Sequence, residues 1–106
     1  MFESLSEDEL VTATGGRGAT CDLSGLSASA RQIIARESGG DPTAKNPHST
    51  AFGVGQLTIA NRRALMGANA GSTDCGAQIQ AFSKYTIGRY GSFDRALQFH
   101  KSHGWY

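Results

Sequence analysis

The sequence lacks a strong excess of either charge and lacks any long apolar run. Ten lysines and arginines against nine acidic residues give a net charge of +1, whereas nucleic-acid-binding domains need a broad basic face for the phosphates. A membrane-spanning helix needs about 20 apolar residues in succession, and the apolar runs here are two or three residues long. We therefore expect neither nucleic acid nor a membrane among its partners.

The amino-terminal residues also lack the features of a secretory signal. Met1–Leu10 is acidic where a signal peptide is basic, and it contains no apolar segment. Ser6 and Glu9 have the spacing of a helix capping box, and a Gly-rich stretch follows. We expect residues 1–20 to be a flexible arm or linker and residues 21–106 to form one domain, exported by another route if it acts outside the cell.

Cysteine and histidine are scarce. Cys21 and Cys75 are too far apart for a CxxC redox pair or a zinc knuckle. An even cysteine count in a small domain favours a disulfide between them, and the alternative is two buried free thiols. His100 and His103 have helical i, i+3 spacing. Together with His48 they are only weak evidence for a metal site, because no further ligand stands at a fixed spacing. We expect no metal and no cofactor.

Periodicity and capping signals predict a mainly α protein. No segment alternates with period two for long enough to demand a strand, and we expect at most a short hairpin at residues 51–57. A loop over residues 41–55 is rich in turn residues, and loops of that length tend to be functional. Four helices are predicted: residues 27–38, residues 59–66 after Thr58, a third that residues 72–74 open and that ends at Gly88 or Gly91, and a fourth from Ser92 or Asp94 toward Gly104.

Glu37 is the candidate for acid chemistry. It falls in the last turn of the first predicted helix, on or beside the apolar stripe of Ile33 and Ile34. Loss of hydration there would raise the pKa of the carboxyl group and keep it protonated near neutral pH, as a general acid requires. The alternative is an ordinary glutamate at a helix end. Ser38 as a nucleophile is less favoured, because no local motif such as GxSxG accompanies it.

Two segments of the sequence resemble the leading motifs of the soluble lytic transglycosylase catalytic domains. They are Arg36–Ala44 (RESGGDPTA) and Ala51–Leu57 (AFGVGQL). Residues 85–92, 96–100 and 104–106 are similar to the closing segment of small members from bacteriophage tail and lysis proteins and from actinobacterial wall enzymes. The resemblance covers Leu26–Tyr106, and it implies a mainly α, lysozyme-like fold with a short hairpin near the catalytic cleft.

The resemblance also implies a role for each matching position. Glu37 corresponds to the single catalytic acid, which protonates the glycosidic oxygen between N-acetylmuramic acid and N-acetylglucosamine and then acts as a base. His100 stands where typical members have a tyrosine. The implied partner is the peptidoglycan glycan strand, and the implied setting is the cell wall or a phage virion or lysis system, for a monomer or a domain of a larger protein. The expected substrate-binding residues are Ser38, Phe52, Gly53, Gly55, Gln56, Tyr85 and His100.

The sequence contains no obvious second catalytic acid. Most glycosidases pair two carboxylates, but Asp41 lies beyond a pair of glycines, and Asp74 and Asp94 fall where helix caps are expected. One glutamate suffices if the substrate's own N-acetyl carbonyl or 6-hydroxyl is the nucleophile, as in a lytic transglycosylase. The nearest alternative is a hydrolytic muramidase.

Two alternatives involve no catalysis. One is a sugar-binding module, and the other is a structural segment of a phage tail held by the disulfide. An intact Glu37 argues against the sugar-binding module, in which sugars would stack on Tyr85, Tyr90, Trp105 and Tyr106.

Overall fold

A computed structural model describes residues 20–104 of the chain. Four α-helices dominate this range and confirm the mainly α class, which is compatible with a lysozyme-like fold. The predicted amino-terminal arm up to residue 19, its capping box, Trp105 and Tyr106 lie outside the described residues. The helices are α1 (Ala28–Glu37), α2 (Ile59–Met66), α3 (Cys75–Tyr90) and α4 (Phe93–His103), and a 3-10 turn, Gly67–Asn69, follows α2.

Each α-helix begins after a side chain that accepts from one of its free backbone N–H groups. The sequence predicts such a cap for α2, α3 and α4, whereas Ser27, predicted to lie within the first helix, is the cap of α1. Of the two candidates for α4, Ser92 is the cap, and its Oγ accepts from Arg95 N–H, whereas Asp94 lies in the first turn. Helix α3 runs through Gly88 and ends at Gly91, which adopts the left-handed conformation with φ +87°. The other caps are Ser27, Thr58 and Asp74, which accept from Ala30, Asn61 and Ala77.

The hairpin expected at residues 51–57 is a tight turn closed by an isolated bridge. Phe52 N–H donates to Leu57 O at 3.2 Å, and Phe52 also bridges to Lys45. Between them the chain turns with positive φ at Gly53 (+84°) and Gln56 (+52°). This curvature leaves no room for a longer ladder, so residues 20–104 contain no extended strand.

The core lies between α1, α3 and α4, and it also takes in one residue of the long loop. Val54 is fully buried together with Ile33, Ile34 and Phe82, and the Phe82 ring stacks on Phe93 with centroids 5.7 Å apart. Burial of such a side chain contributes about 1.5–3 kcal/mol. The second half of the loop is therefore anchored in the core.

A disulfide joins Cys21 and Cys75, as the sequence predicts. The bond links the segment before α1 to the first residue of α3. The backbone N–H of Cys21 also donates to Gly40 O at 2.8 Å, so this segment is fixed to the turn that follows α1 as well.

No helix within the described range is both long enough and apolar enough to cross a membrane.

Candidate active site

The site is built around Glu37, the last residue of α1. Its Oε2 atom lies 2.7 Å from Nε2 of His100, which projects from the last turns of α4. The side chain of Glu37 is 18% exposed and that of His100 is 7% exposed. Because α1 packs against α4, two residues 63 positions apart in sequence share a hydrogen bond in a largely water-excluded place.

The protonation of Glu37 reflects this burial. Desolvation raises the pKa of Glu37 above its ordinary value of 4.5, and the hydrogen bond and charge of His100 lower it part of the way back. The carboxyl group therefore keeps its proton to higher pH than an exposed glutamate, as the sequence suggested for a general acid.

Ser38 connects the turn after α1 to the long loop. Its hydroxyl donates to Val54 O at 2.8 Å and accepts from Gly40 N–H at 3.1 Å. Since Val54 is fully buried, the residue next to Glu37 is bonded directly to a core-anchored point of the loop. The structure thus gives Ser38 a role in holding Glu37, and its contact with substrate stays a prediction.

The side chain of Gln56 holds the turn that residues 53–56 form. The Gln56 amide Nε2 donates to Gly53 O at 2.8 Å and to Ala44 O at 3.0 Å, and Gly53 N–H donates to the same Ala44 carbonyl at 2.9 Å. Gly53 and Gly55 are buried, and Gln56 is half-buried. These residues shape the wall of the loop, and their contacts with sugar stay predictions.

Gln78 is a central residue of the site that the sequence analysis missed. It projects from α3, and its Oε1 accepts from Val54 N–H at 2.9 Å. Its Nε2 donates to Pro42 O and to Ser72 O, each at 2.8 Å. One buried amide thus bonds three loop segments. A signal was present, because Gln78 interrupts the apolar stripe Cys75, Ile79, Phe82 at helical spacing.

Arg62 is a second missed residue. Its guanidinium donates to the carbonyl oxygens of Leu57, Thr50 and Ala70 at 3.0, 2.7 and 2.7 Å. It also lies 5.3 Å from the centroid of the half-buried Phe52 ring, a cation–π distance. The guanidinium of Arg62 on α2 therefore packs against the Phe52 ring. The role of Phe52 as a substrate contact stays a prediction.

Tyr85 lies half-buried on α3, close to Arg89. The guanidinium of Arg89 lies 5.5 Å from the ring of Tyr90, and the two tyrosines raise the pKa of Arg89. Arg89 and Tyr90 thus lie near Tyr85 in the carboxyl-terminal half of α3. The role of Tyr85 toward substrate stays a prediction.

The three candidate second acids all have partners within the chain. Asp41, 9% exposed, accepts from the N–H and hydroxyl of Thr43 at 2.8 and 2.7 Å. Asp74 caps α3, as predicted. Asp94 accepts from the hydroxyl of Ser29.

The three histidines have different surroundings. His100 is buried against Glu37, whereas His103 is exposed and stacks on Phe99 with ring centroids 3.9 Å apart, and His48 lies exposed in the long loop. Within the described part of the chain, no three histidine, cysteine or acidic side chains gather where they could hold a metal ion.

Most of this chain is similar in sequence to a staphylococcal protein. Over 82 residues the chain is 33% identical to a protein named probable transglycosylase IsaA from Staphylococcus haemolyticus strain JCSC1435. This similarity supports a lytic transglycosylase-like domain in the chain. The aligned region is 77% of this chain, and it spans 30% of the relative's length. No family model matches the chain, and no solved structure matches it.

Proposed function

We propose that this domain cleaves the β-1,4 bond between N-acetylmuramic acid and N-acetylglucosamine in peptidoglycan, with Glu37 as general acid and then general base. The observation that carries the proposal is the largely buried Glu37 carboxyl, with its raised pKa and its hydrogen bond to His100. The transglycosylase name of the relative supports the same substrate class. The proposed place of action is the bacterial cell wall, reached from the cell or from a phage virion or lysis system.

The proposed reaction uses one carboxyl group twice, first as an acid and then as a base. Protonated Glu37 donates its proton to the glycosidic oxygen as the bond from C1 of the muramic residue to that oxygen breaks, and N-acetylglucosamine leaves with a new hydroxyl group. The resulting carboxylate then takes the proton of the muramic 6-hydroxyl while that oxygen bonds to C1. The products are the released chain and a 1,6-anhydromuramic end, and Glu37 is protonated again.

We propose transglycosylation rather than hydrolysis because each candidate for a second catalytic carboxylate is already hydrogen-bonded within the chain. A hydrolase usually places a second acid to hold an intermediate or to activate water, and Asp41, Asp74 and Asp94 are each hydrogen-bonded within the chain. The muramic 6-hydroxyl is tethered to the reacting ring, so its attack has the effective-molarity advantage of an intramolecular nucleophile.

The test is digestion of purified peptidoglycan by the chain and by its Glu37→Gln variant. The amide keeps the size of the side chain and cannot donate the proton, so we expect turbidity loss to fall by about 10²–10⁴-fold with a normal melting curve. Asp94→Asn, which removes an exposed charge and keeps the acceptor oxygen for Ser29, is the matched control and should stay active. Full activity in folded Glu37→Gln would overturn the assignment.

Mass analysis of the same digest separates the two reactions. We expect muropeptides that end in 1,6-anhydromuramic acid, each lighter by one water than the hydrolytic product. Products with only borohydride-reducible ends would make the enzyme a muramidase, and Asp41→Asn would then test the missing second acid.

A further inference from the structure

The two oxygens of Glu37 have different surroundings. Oε2 lies 2.7 Å from His100 Nε2, whereas Oε1 accepts no hydrogen bond from residues 20–104. We propose that His100 is a positioning residue whose Nε2–H donates to Oε2 and so confines the catalytic proton of Glu37 to Oε1. This inference rests on the proposed function and adds to it the residue that sets which oxygen reacts.

The fold holds His100 firmly enough for this role. Its neighbours Ala96 and Leu97 on α4 are buried in the core. A hydrogen bond from Ser29 to Asp94 joins the first turns of α1 and α4, and the Glu37–His100 contact joins their last turns. The two helices therefore run side by side in the same direction, and their register is set at both ends.

An imidazole N–H suits a carboxyl group that must be an acid and then a base. The carbonyl oxygen of a protonated carboxyl and either oxygen of a carboxylate accept a hydrogen bond, so Nε2–H can donate to Oε2 in both halves of the reaction. A lysine or arginine at this place would add a permanent positive charge and would favour loss of the proton. An apolar residue would leave a buried oxygen with no donor.

Other ionisable groups near Glu37 do not take over this role. Among the described residues, His100 is the one ionisable side chain whose hydrogen bond or charge acts on the pKa of Glu37. Arg36, next to Glu37 on α1, and Lys101, next to His100 on α4, are exposed. On the following turn, Asp41 is buried and accepts from Thr43.

The first test compares His100→Gln with His100→Leu. Glutamine can place an amide N–H near the position of Nε2, whereas leucine fills the space without a donor. We expect His100→Leu to lower kcat by about 10–100-fold, because misplacement of a reacting group is costly, with KM within about twofold of wild type. His100→Gln should recover most of kcat, and His103→Leu, the same change at an exposed site of α4, should match wild type.

The second readout is the pH dependence. Loss of His100 removes the influences that lower the pKa of Glu37, so in His100→Leu the alkaline limb of the kcat profile should move to higher pH. The ¹³C carboxyl titration of Glu37 should move in the same direction, and it does not depend on activity. If Glu37→Gln stayed active, the proposed function would fail, and this titration would still report on the contact.

Three results would overturn the proposal. One is a His100→Leu protein in which kcat, the alkaline limb of the pH profile of kcat and the ¹³C titration of the Glu37 carboxyl group are all the same as in wild type. Another is an equal loss of kcat in His100→Gln and His100→Leu, since the donor would then not matter. Where His100→Leu does not fold, a folded His100→Gln protein with kcat lowered as far as that of Glu37→Gln would also refute it.

Discussion

At the scale of single residues, Glu37 shows a cost to the fold that its proposed chemistry requires. An ionised carboxyl group is most stable in water, and this one is largely excluded from water at the end of α1. His100 offsets part of that cost, but the pKa of Glu37 remains raised. Active-site groups are often kept in environments that the fold alone would not favour.

This conflict predicts a pH-dependent stability difference between wild type and Glu37→Gln. Between pH 4.5, the ordinary value, and the raised pKa, the folded state binds more protons at Glu37 than the unfolded state, so the free energy of unfolding falls as pH rises through this window. The penalty is absent at lower pH. Urea unfolding at pH 4 and pH 7 should therefore show Glu37→Gln gaining stability relative to wild type at the higher pH. A difference that is independent of pH would contradict this.

Gly53 is a position where a side chain would be poorly tolerated. It has φ +84°, and a Cβ atom added there would lie 2.5 Å from Oε1 of Gln78. Gly53→Ala should therefore cost about 1–3 kcal/mol through strain and displacement of Gln78. Gly88→Ala, with open space and no positive φ inside α3, should instead stabilise by about 0.5–1 kcal/mol. Denaturant midpoints that shift the same way in both variants would count against this account.

At the scale of elements, the helices provide the frame and the loop of residues 41–55 is held against it by a few polar side chains. Gln78 bonds the loop from α3, Arg62 bonds it from α2, and Ser38 bonds it from the end of α1. A loop of this length would otherwise carry a large conformational entropy. Long-range hydrogen bonds thus help to order the loop, in addition to its local turns.

Removal of the Gln78 amide should therefore disorganise the loop. Gln78→Ala would leave Val54 N–H, Pro42 O and Ser72 O without this hydrogen-bond partner. We expect the free energy of unfolding to fall by about 2–4 kcal/mol and kcat to fall as well. Gln80→Ala changes an exposed glutamine of the same helix and should be nearly neutral. Chemical unfolding and peptidoglycan turbidity measure both effects, and equal stability of the two variants would refute the role assigned to Gln78.

At the scale of the whole molecule, the small core is supplemented by a covalent bond. The disulfide spans 54 positions between Cys21 and Cys75, and loop-closure entropy for that span corresponds to at most about 4 kcal/mol. This is a large share of the stability of a small domain. The bond joins α3 to the segment beside the turn after Glu37, so it connects the frame to the site.

Replacement of both cysteines by serine should lower the free energy of unfolding by up to about 4 kcal/mol, while folded protein keeps its chemistry. The internal control is a reductant. It should lower the Tm of the wild-type chain to that of the double variant, and it should leave the variant unchanged. Two alkylated thiols in wild-type protein that was unfolded without reductant would refute the bond.

The helices and their ends were predictable from the sequence because their signals are local. Ser27, Thr58, Asp74 and Ser92 each bond a backbone group three residues away, and the motif around Glu37 is contiguous. What only the tertiary structure decided involves distant partners: Gln78 with Val54, Arg62 with Thr50, and Glu37 with His100. Such pairs depend on how the helices pack and on which polar groups lose water together, and no spacing along the chain encodes that outcome.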